Sequence, residues 1–391
     1  MLKAAALLLL PLALAAQEDT PKLLQNAATL AAAGRYAEAE PLLTRALAAE
    51  EKAPNPDHPM LVPVLDALGS VYRAEGHNTE AEAAYLRALK ILEKTGGERS
   101  VDLIPHLKLL AGVYAALKRT NDAEQQFLRV LSIREKANGP NDIDLANDCA
   151  ELGGFYLAVG RFAVAEPNLR RAIGILERKL GPEDAALVPV LDTLADVFIK
   201  QKTWAPAEPP LRRIVWIQER VVGPSDVKLA PHLDKLALLL FSEQRYPEAE
   251  VLYRRSLGIW EVSMGATNPS LTTALDNLAI SLAMELKYAD SAPLYTRSLA
   301  LKQKATVESL NNLALVLDGR GDTAGAEKQY TRAISLAGSI PALPAAISVG
   351  EKDLLAKTLD NYAQLLRKLQ RNDEADKAEA RSKSLTKTTP Q

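Results

Sequence analysis

Apolar residues in this chain recur at intervals of three and four, for example Leu65, Leu68 and Tyr72, then Ala81, Tyr85, Ala88 and Ile91. That spacing predicts two consecutive amphipathic helices; no stretch alternates with the period of two that a strand would need. The pair then repeats. One small residue marks each copy: Ala39, Ala81, Ala123, Ala165, Ala207, Ala249 and Ser291 follow one another at a step of 42, and Ala326 and Ala375 come after 35 and 49. We call these positions the anchors. Thirteen before the anchor stand Leu68, Leu110, Leu152, Leu194, Leu236, Leu278 and Leu313, and twelve before it only Gly69, Ala111, Gly153, Ala195, Ala237, Ala279 and Ala314. A small residue at both places lets one helix approach its partner closely. An aromatic lies three before the anchor at Tyr36, Phe162, Trp204, Tyr246 and Tyr288.

Gly97, Gly139, Gly181, Gly223 and Gly265, also 42 apart, each follow an apolar run and read as left-handed stops of the second helix. Pro63, Pro105, Pro189 and Pro231 then suit the first turn of the next helix. A further set, Pro41, Pro167, Pro209 and Pro293, is expected near the first turn of the second helix, because deeper placement costs about 3 kcal/mol. A fixed period carrying one helix pair predicts an all-α solenoid of stacked antiparallel pairs, each hiding its apolar face only against its neighbours.

The residues Leu68-Gly69, Tyr72, Ala81-Glu82, Tyr85 and Ala88 resemble the tetratricopeptide repeat. The longer period, with Ala39 to Leu43, Ala165 to Leu169 and Leu275 to Ala279, is similar to the kinesin-light-chain type of that repeat. The resemblance spans roughly residues 23 to 385. It implies a right-handed superhelix of about eight repeats with a C-terminal capping helix pair, and a role in binding other proteins.

Residues 1–16 carry Lys3, an apolar run from Ala4 to Leu14 and small residues at Ala13 to Ala15. This reads as a secretory signal peptide, too short to span a membrane, and predicts an exported, periplasmic or secreted protein. Residues 17–22 form a short lead, 23–339 the solenoid and 340–352 an apolar, Pro-containing loop. Residues 353–385 make a ninth, capping pair with a charged second helix, and 386–391 a disordered tail.

Lys plus Arg total 47 against Asp plus Glu 49, a net charge of −2, so no basic stripe marks a nucleic-acid binder. The single cysteine, Cys149, has no partner for an internal disulfide and is expected to be buried. His58, His77, His106 and His232 are scattered, with no metal-binding spacing, catalytic triad or phosphate loop. Neither an enzyme nor a bound cofactor or metal is expected. His106 and His232, three repeats apart at one repeat position, read as structural.

What remains is the face of the first helices, which the resemblance places on the inner groove. Fifteen before the anchor the column reads Asp66, Lys108, Ala150, Asp192, Asp234, Asp276, Asn311 and Asp360. With Asp196 one turn beyond Asp192 this is a mostly acidic ladder suited to a basic segment. The competing reading is structural: near a helix start the dipole favours a carboxylate by about 0.3–1 kcal/mol with no ligand. One residue on, Asn277, Asn312 and Asn361 resemble the family's asparagines that hydrogen-bond a peptide backbone, while Ala67, Leu109, Glu151, Thr193 and Lys235 depart from that pattern. Any such site is therefore expected in the C-terminal half. Trp204, Trp216 and Trp260 read as core. The function expected is a scaffold binding protein or peptide segments. The alternatives are a cell-envelope or secretion-complex subunit that self-associates through its C-terminal end, and an enzyme on a repeat scaffold.

Overall fold

The computed structural model describes residues 19–52, 58–302, 306–338 and 349–386. Among these every regular element is helical, as the period of three and four requires. The chain divides into two compact units at Pro182/Glu183. The first holds α1 (Thr20–Ala32), α2 (Tyr36–Glu50), α3 (Val62–Glu75), α4 (Asn78–Gly96), α5 (Ile104–Ala116), α6 (Thr120–Asn138), α7 (Ile143–Ala158) and α8 (Phe162–Leu180). The second holds α9 (Leu187–Lys200), α10 (Glu208–Val222), α11 (Ala230–Ser242), α12 (Tyr246–Met264), α13 (Thr272–Met284), α14 (Tyr288–Leu301), α15 (Val307–Gly319), α16 (Thr323–Gly338), α17 (Val349–Lys368) and α18 (Asn372–Thr386). In both units each odd-numbered helix packs on the even one after it, and each pair stacks on the next pair of its unit. The signal peptide, the apolar loop Ile340 to Ile347 and residues 387–391 lie outside the described residues.

The anchors explain how the pairs fit. All nine are fully buried, from Ala39 to Ala375, with Ser291 donating a 2.7 Å hydrogen bond to the carbonyl of Ala279. A Cβ on Gly69 would lie 2.5 Å from the Tyr85 ring, and one on Gly153 would lie 2.6 Å from Cγ of Leu169. The small residue twelve before the anchor is thus set by the large residue four after it.

The turn inside each pair is equally regular. The residue five before the anchor has positive φ in every repeat, at Gly34, Gly76, Lys118, Gly160, Lys202, Gln244, Leu286, Gly321 and Gln370. His77 N–H bonds Tyr72 O at 2.8 Å while Gly76 N–H bonds Arg73 O, a Schellman closure that satisfies the last carbonyls of α3. The glycines after the second helix differ from expectation. Gly97, Gly139, Gly181, Gly223 and Gly265 do have φ between 85° and 99°, but ψ between 143° and 170°. They are extended, not left-handed helical, in a region that only glycine occupies readily.

Of the second set of prolines, Pro209 lies in the first turn of α10 as expected, and the other three depart from expectation. Pro41, Pro167 and Pro293 each stand at the sixth residue of α2, α8 and α14, inside the helix. Around Pro209 the start is rebuilt instead, as a 3₁₀ turn over Ala205–Ala207 before α10.

Two ladders of ion pairs tie successive repeats together. In one, the residue four before an anchor reaches the glutamate just after the preceding anchor: Arg119 to Glu82 (2.8 Å), Arg161 to Glu124, Arg245 to Glu208 (2.7 Å), Lys287 to Glu250 (2.7 Å) and Arg371 to Glu327 (2.6 Å). In the other, the arginine six after an anchor reaches the glutamate twelve after the preceding one: Arg87 to Glu51, Arg129 to Glu93 (2.6 Å), Arg171 to Glu135 (2.9 Å), Arg255 to Glu219 and Arg297 to Glu261. Arg129, Arg255 and Arg297 also donate to backbone carbonyls of Glu98, Pro224 and Ala266. Pairs this exposed are individually weak, but here they fix the same contact repeat after repeat.

Candidate partner-binding surface

The acidic column stands just past the first turn of its helices. Short 3₁₀ turns at Pro59–Leu61, Val227–Leu229 and Pro269–Leu271 precede α3, α11 and α13, so Asp66, Asp234 and Asp276 are each the fifth residue of their helix and Asp192 the sixth of α9. The helix dipole fades within the first turn; side-chain partners hold these carboxylates instead. His106 Nε2 lies 2.9 Å from Asp66, Lys235 Nζ lies 2.7 Å from both Asp192 and Asp196, and Lys302 Nζ lies 2.8 Å from Asp276. Lys108 is 2.6 Å from both Asp148 and Glu151; Asp148 is buried and also accepts from Arg134 Nε at 3.0 Å. The freely charged ladder expected from the column is therefore largely neutralised from within, because the cations come from other columns and, for Asp66 and Asp192, from the next repeat.

Among the described residues Asp234 has no cationic partner. Its Oδ2 accepts from the Trp260 indole N–H at 3.1 Å, so Trp260 is a hydrogen-bonding residue as well as a packed one. Burial raises the Asp234 carboxyl above its ordinary value, against the Ser256 and Trp260 hydrogen bonds that lower it. Trp216, expected in the core, is 40% exposed with the Arg220 guanidinium 5.0 Å from its ring. Trp204 is half-buried. Asn311 is also displaced from its expected role: it is buried, accepts from Asn361 Nδ2 at 3.0 Å and donates to Asn312 at 3.4 Å. Asp360 is exposed.

The structure brings Asp276, Asn277 and Asn312 together. They line one cavity of about 250 Å³ with Thr273, Ile280, Tyr295, Lys302, Thr306, Glu308 and Ser309. Among the described residues the Asn277 carboxamide has no hydrogen-bond partner, and the Asn312 amide nitrogen donates to none. One turn beyond these asparagines, eleven before the anchor, is a column that sequence reasoning missed. Leu238, Ile280 and Leu315 are 56%, 38% and 39% exposed, whereas Ser70, Gly112 and Gly154 hold that place in the first unit. Three successive repeats of the second unit thus present apolar rungs on their first helices. The signal was available as the change from small to large residues down that column.

Models of the tetratricopeptide repeat match residues 19–94 and 229–304 in one form and 109–144 and 306–338 in another, together more than half of the chain. The chain belongs to the tetratricopeptide-repeat family. Among curated proteins none matches it. The apo form of RapI is similar in structure, at 15% identity and a TM-score of 0.57, over 94% of this chain and 97% of that one. The C-terminal part of a repeat-containing protein from Cytophaga hutchinsonii is similar at 13% identity and 0.52, over 74% and 99%. A putative kinesin light chain from Podosopora anserina with nearly identical repeats gives 22% and 0.47, over 51% and 95%. At these identities the likeness concerns the fold.

Tetratricopeptide repeats make this protein a scaffold for protein–protein interaction in the general sense. Among the described residues no group of His, Cys, Asp and Glu is placed to hold a metal ion, and no helix is long and apolar enough to cross a membrane.

Proposed function

We propose that this tetratricopeptide-repeat protein captures an extended protein segment on the first helices of its second unit. Leu238, Ile280 and Leu315 cover alternate side chains of that segment, and the Asn277 and Asn312 carboxamides bond its backbone, since an amide both donates and accepts. The observation that carries this reading is the joint position of Asn277 and Asn312, with unspent hydrogen-bonding capacity, in one cavity that Ile280 also lines. The apolar start of the chain, Ala4 to Leu14, supports placing this activity outside the cytoplasm. Recovery of an intact Met1 from the cytosolic fraction would remove that part of the reading.

The test is selection of random dodecapeptides displayed on phage against the full chain, followed by fluorescence anisotropy of the selected peptides. Expected is a loss of at least ten-fold in affinity with Asn277→Ala/Asn312→Ala, and loss of measurable binding with Leu238→Ser/Ile280→Ser/Leu315→Ser. Peptides that bind both variants as tightly as the parent would sink the proposal.

A further inference from the structure

The cavity between α13 and α15 lies at a junction unlike the others of the second unit. Ala292 stands where the preceding repeats carry the glutamate of the first ladder, and Asp322 where they carry its cation. Asp322 Oδ1 instead accepts the Gly325 N–H at 2.9 Å and starts α16. Arg332, the second-ladder arginine here, is exposed and has no partner among the described residues. Among the described residues neither ladder crosses this junction, where an apolar cluster includes Ala279, Tyr295, Leu313 and Tyr330.

On first helix α9 the chain supplies its own cation to the carboxylates. Lys235, fourteen before its anchor, reaches back one repeat to sit between Asp192 and Asp196. At the junction of α13 and α15 the corresponding residue is Asn312. The cavity carries two carboxylates, Asp276 and Glu308, against one ammonium, Lys302, which is bonded to Asp276. Glu308 is exposed and has no ionic partner among the described residues. The field is visible at Tyr295: burial first, then the Asp276 and Glu308 carboxylates, push its phenol well above the usual range.

We propose that this cavity takes a cationic side chain, lysine or arginine, of the captured segment, bound by the Glu308 carboxylate and the side-chain oxygens of Asn277 and Asn312. The guest would fill the place beside a first helix that Lys235 fills from within two repeats earlier. This rests on the proposed capture of a segment by the second unit, and it specifies the chemistry of one residue in that segment.

The experiment uses the full chain and capped undecapeptides of alternating serine and leucine whose central residue is lysine, arginine, glutamine or leucine, with an uncapped glutamine peptide as a further arm. Affinities are measured by fluorescence anisotropy at low salt. Expected is a preference of about ten-fold or more for lysine or arginine over glutamine, which shrinks at high salt and falls below about two-fold in Glu308→Gln. Glu308 is exposed, so the thermal unfolding curve of that variant is expected to match the parent. If the glutamine peptide binds as tightly as the lysine peptide, and Leu238→Ser/Ile280→Ser/Leu315→Ser abolishes both, the cationic anchor is wrong and the capture surface stands. If only the uncapped peptide gains affinity, the cation is a chain terminus and the side-chain anchor is overturned. If no peptide binds, both readings fall.

Discussion

His106 Nε2 lies 2.9 Å from Oδ2 of Asp66, so a residue of one repeat is paired with a carboxylate of the repeat before it. His232 occupies the same place three repeats later, but the carboxylate it would meet, Asp192, is taken by Lys235. Burial disfavours the charged form of both imidazoles. For His106 the Asp66 carboxylate more than offsets it and the pKa is raised, whereas His232 stays below its ordinary value despite Asp192.

Opposite pH responses are expected from the two sites. A raised folded-state pKa means that the His106 contribution is complete below the ordinary value of 6.5 and is lost as pH rises through the folded value. The lowered pKa of His232 gives the reverse, a contribution present above 6.5 and lost as pH falls through that value towards the folded one. NMR titration of the two imidazole rings checks this directly, and His106→Gln should remove the alkaline loss. Equal midpoints would contradict it.

Two adjacent glycines of α7 should respond to alanine with opposite signs. At Gly153 a Cβ would meet buried Leu169 at 2.6 Å, and overpacking of this kind costs about 1–3 kcal/mol. At Gly154 nothing lies within 4 Å of the added atom. There the better helix propensity of alanine should stabilise by about 0.5–1 kcal/mol. Denaturant unfolding of Gly153→Ala and Gly154→Ala measures both, and a shared sign would show that the close approach of α7 and α8 is misplaced.

This pairing of small with large was legible in the sequence because both members belong to one repeat and recur with the same step. The interlocking charges were not. Arg45, Arg87, Arg129, Arg171, Arg213, Arg255, Arg297, Arg332 and Arg381 stand six after every anchor, yet a glutamate partner such as Glu261 for Arg297 lies in the preceding repeat. A column read within one repeat shows the charge and hides what neutralises it. Asp192 looked free for the same reason: Lys235 comes from the neighbouring column. Asn277 and Asn312 could be named as a pair in advance, but the cavity joining them could not, because its lining draws on Tyr295 of another helix, on Lys302 at that helix's end and on Thr306 and Glu308 within the step of 35.

Leu286 has φ of 61° and is 71% exposed. A left-handed residue with a Cβ costs about 1–2 kcal/mol, and glycine gives back part of the gain, about 0.4–1 kcal/mol, through the unfolded chain. Leu286→Gly is therefore expected to stabilise by up to about 1 kcal/mol. Gly76→Ala, with φ of 82° in the equivalent turn, should destabilise. Thermal melts that rank the two the other way would refute the strain assigned to this turn.

Cys149 is fully buried, and desolvation pushes its thiol up to about 11. The native protein should react with an aromatic disulfide reagent only as fast as α7 is exposed by opening of the first unit. Labelling in native buffer at the rate of a small free thiol would contradict this burial.

Each repeat brings half of the clasp that closes on its neighbour, as Arg119 does for Glu82 and Arg297 for Glu261. A gene that gains or drops a whole 42-residue copy leaves no orphan charge behind, so array length can drift without redesign. The seam between α13 and α15 lacks both halves of the first clasp, with Ala292 and Asp322 in the places of its glutamate and its cation, so a transplanted copy would find no counterpart for either charge there. Duplication across that seam would strand the clasp of the inserted copy, which ties the asparagine-lined cavity to this one joint of the array.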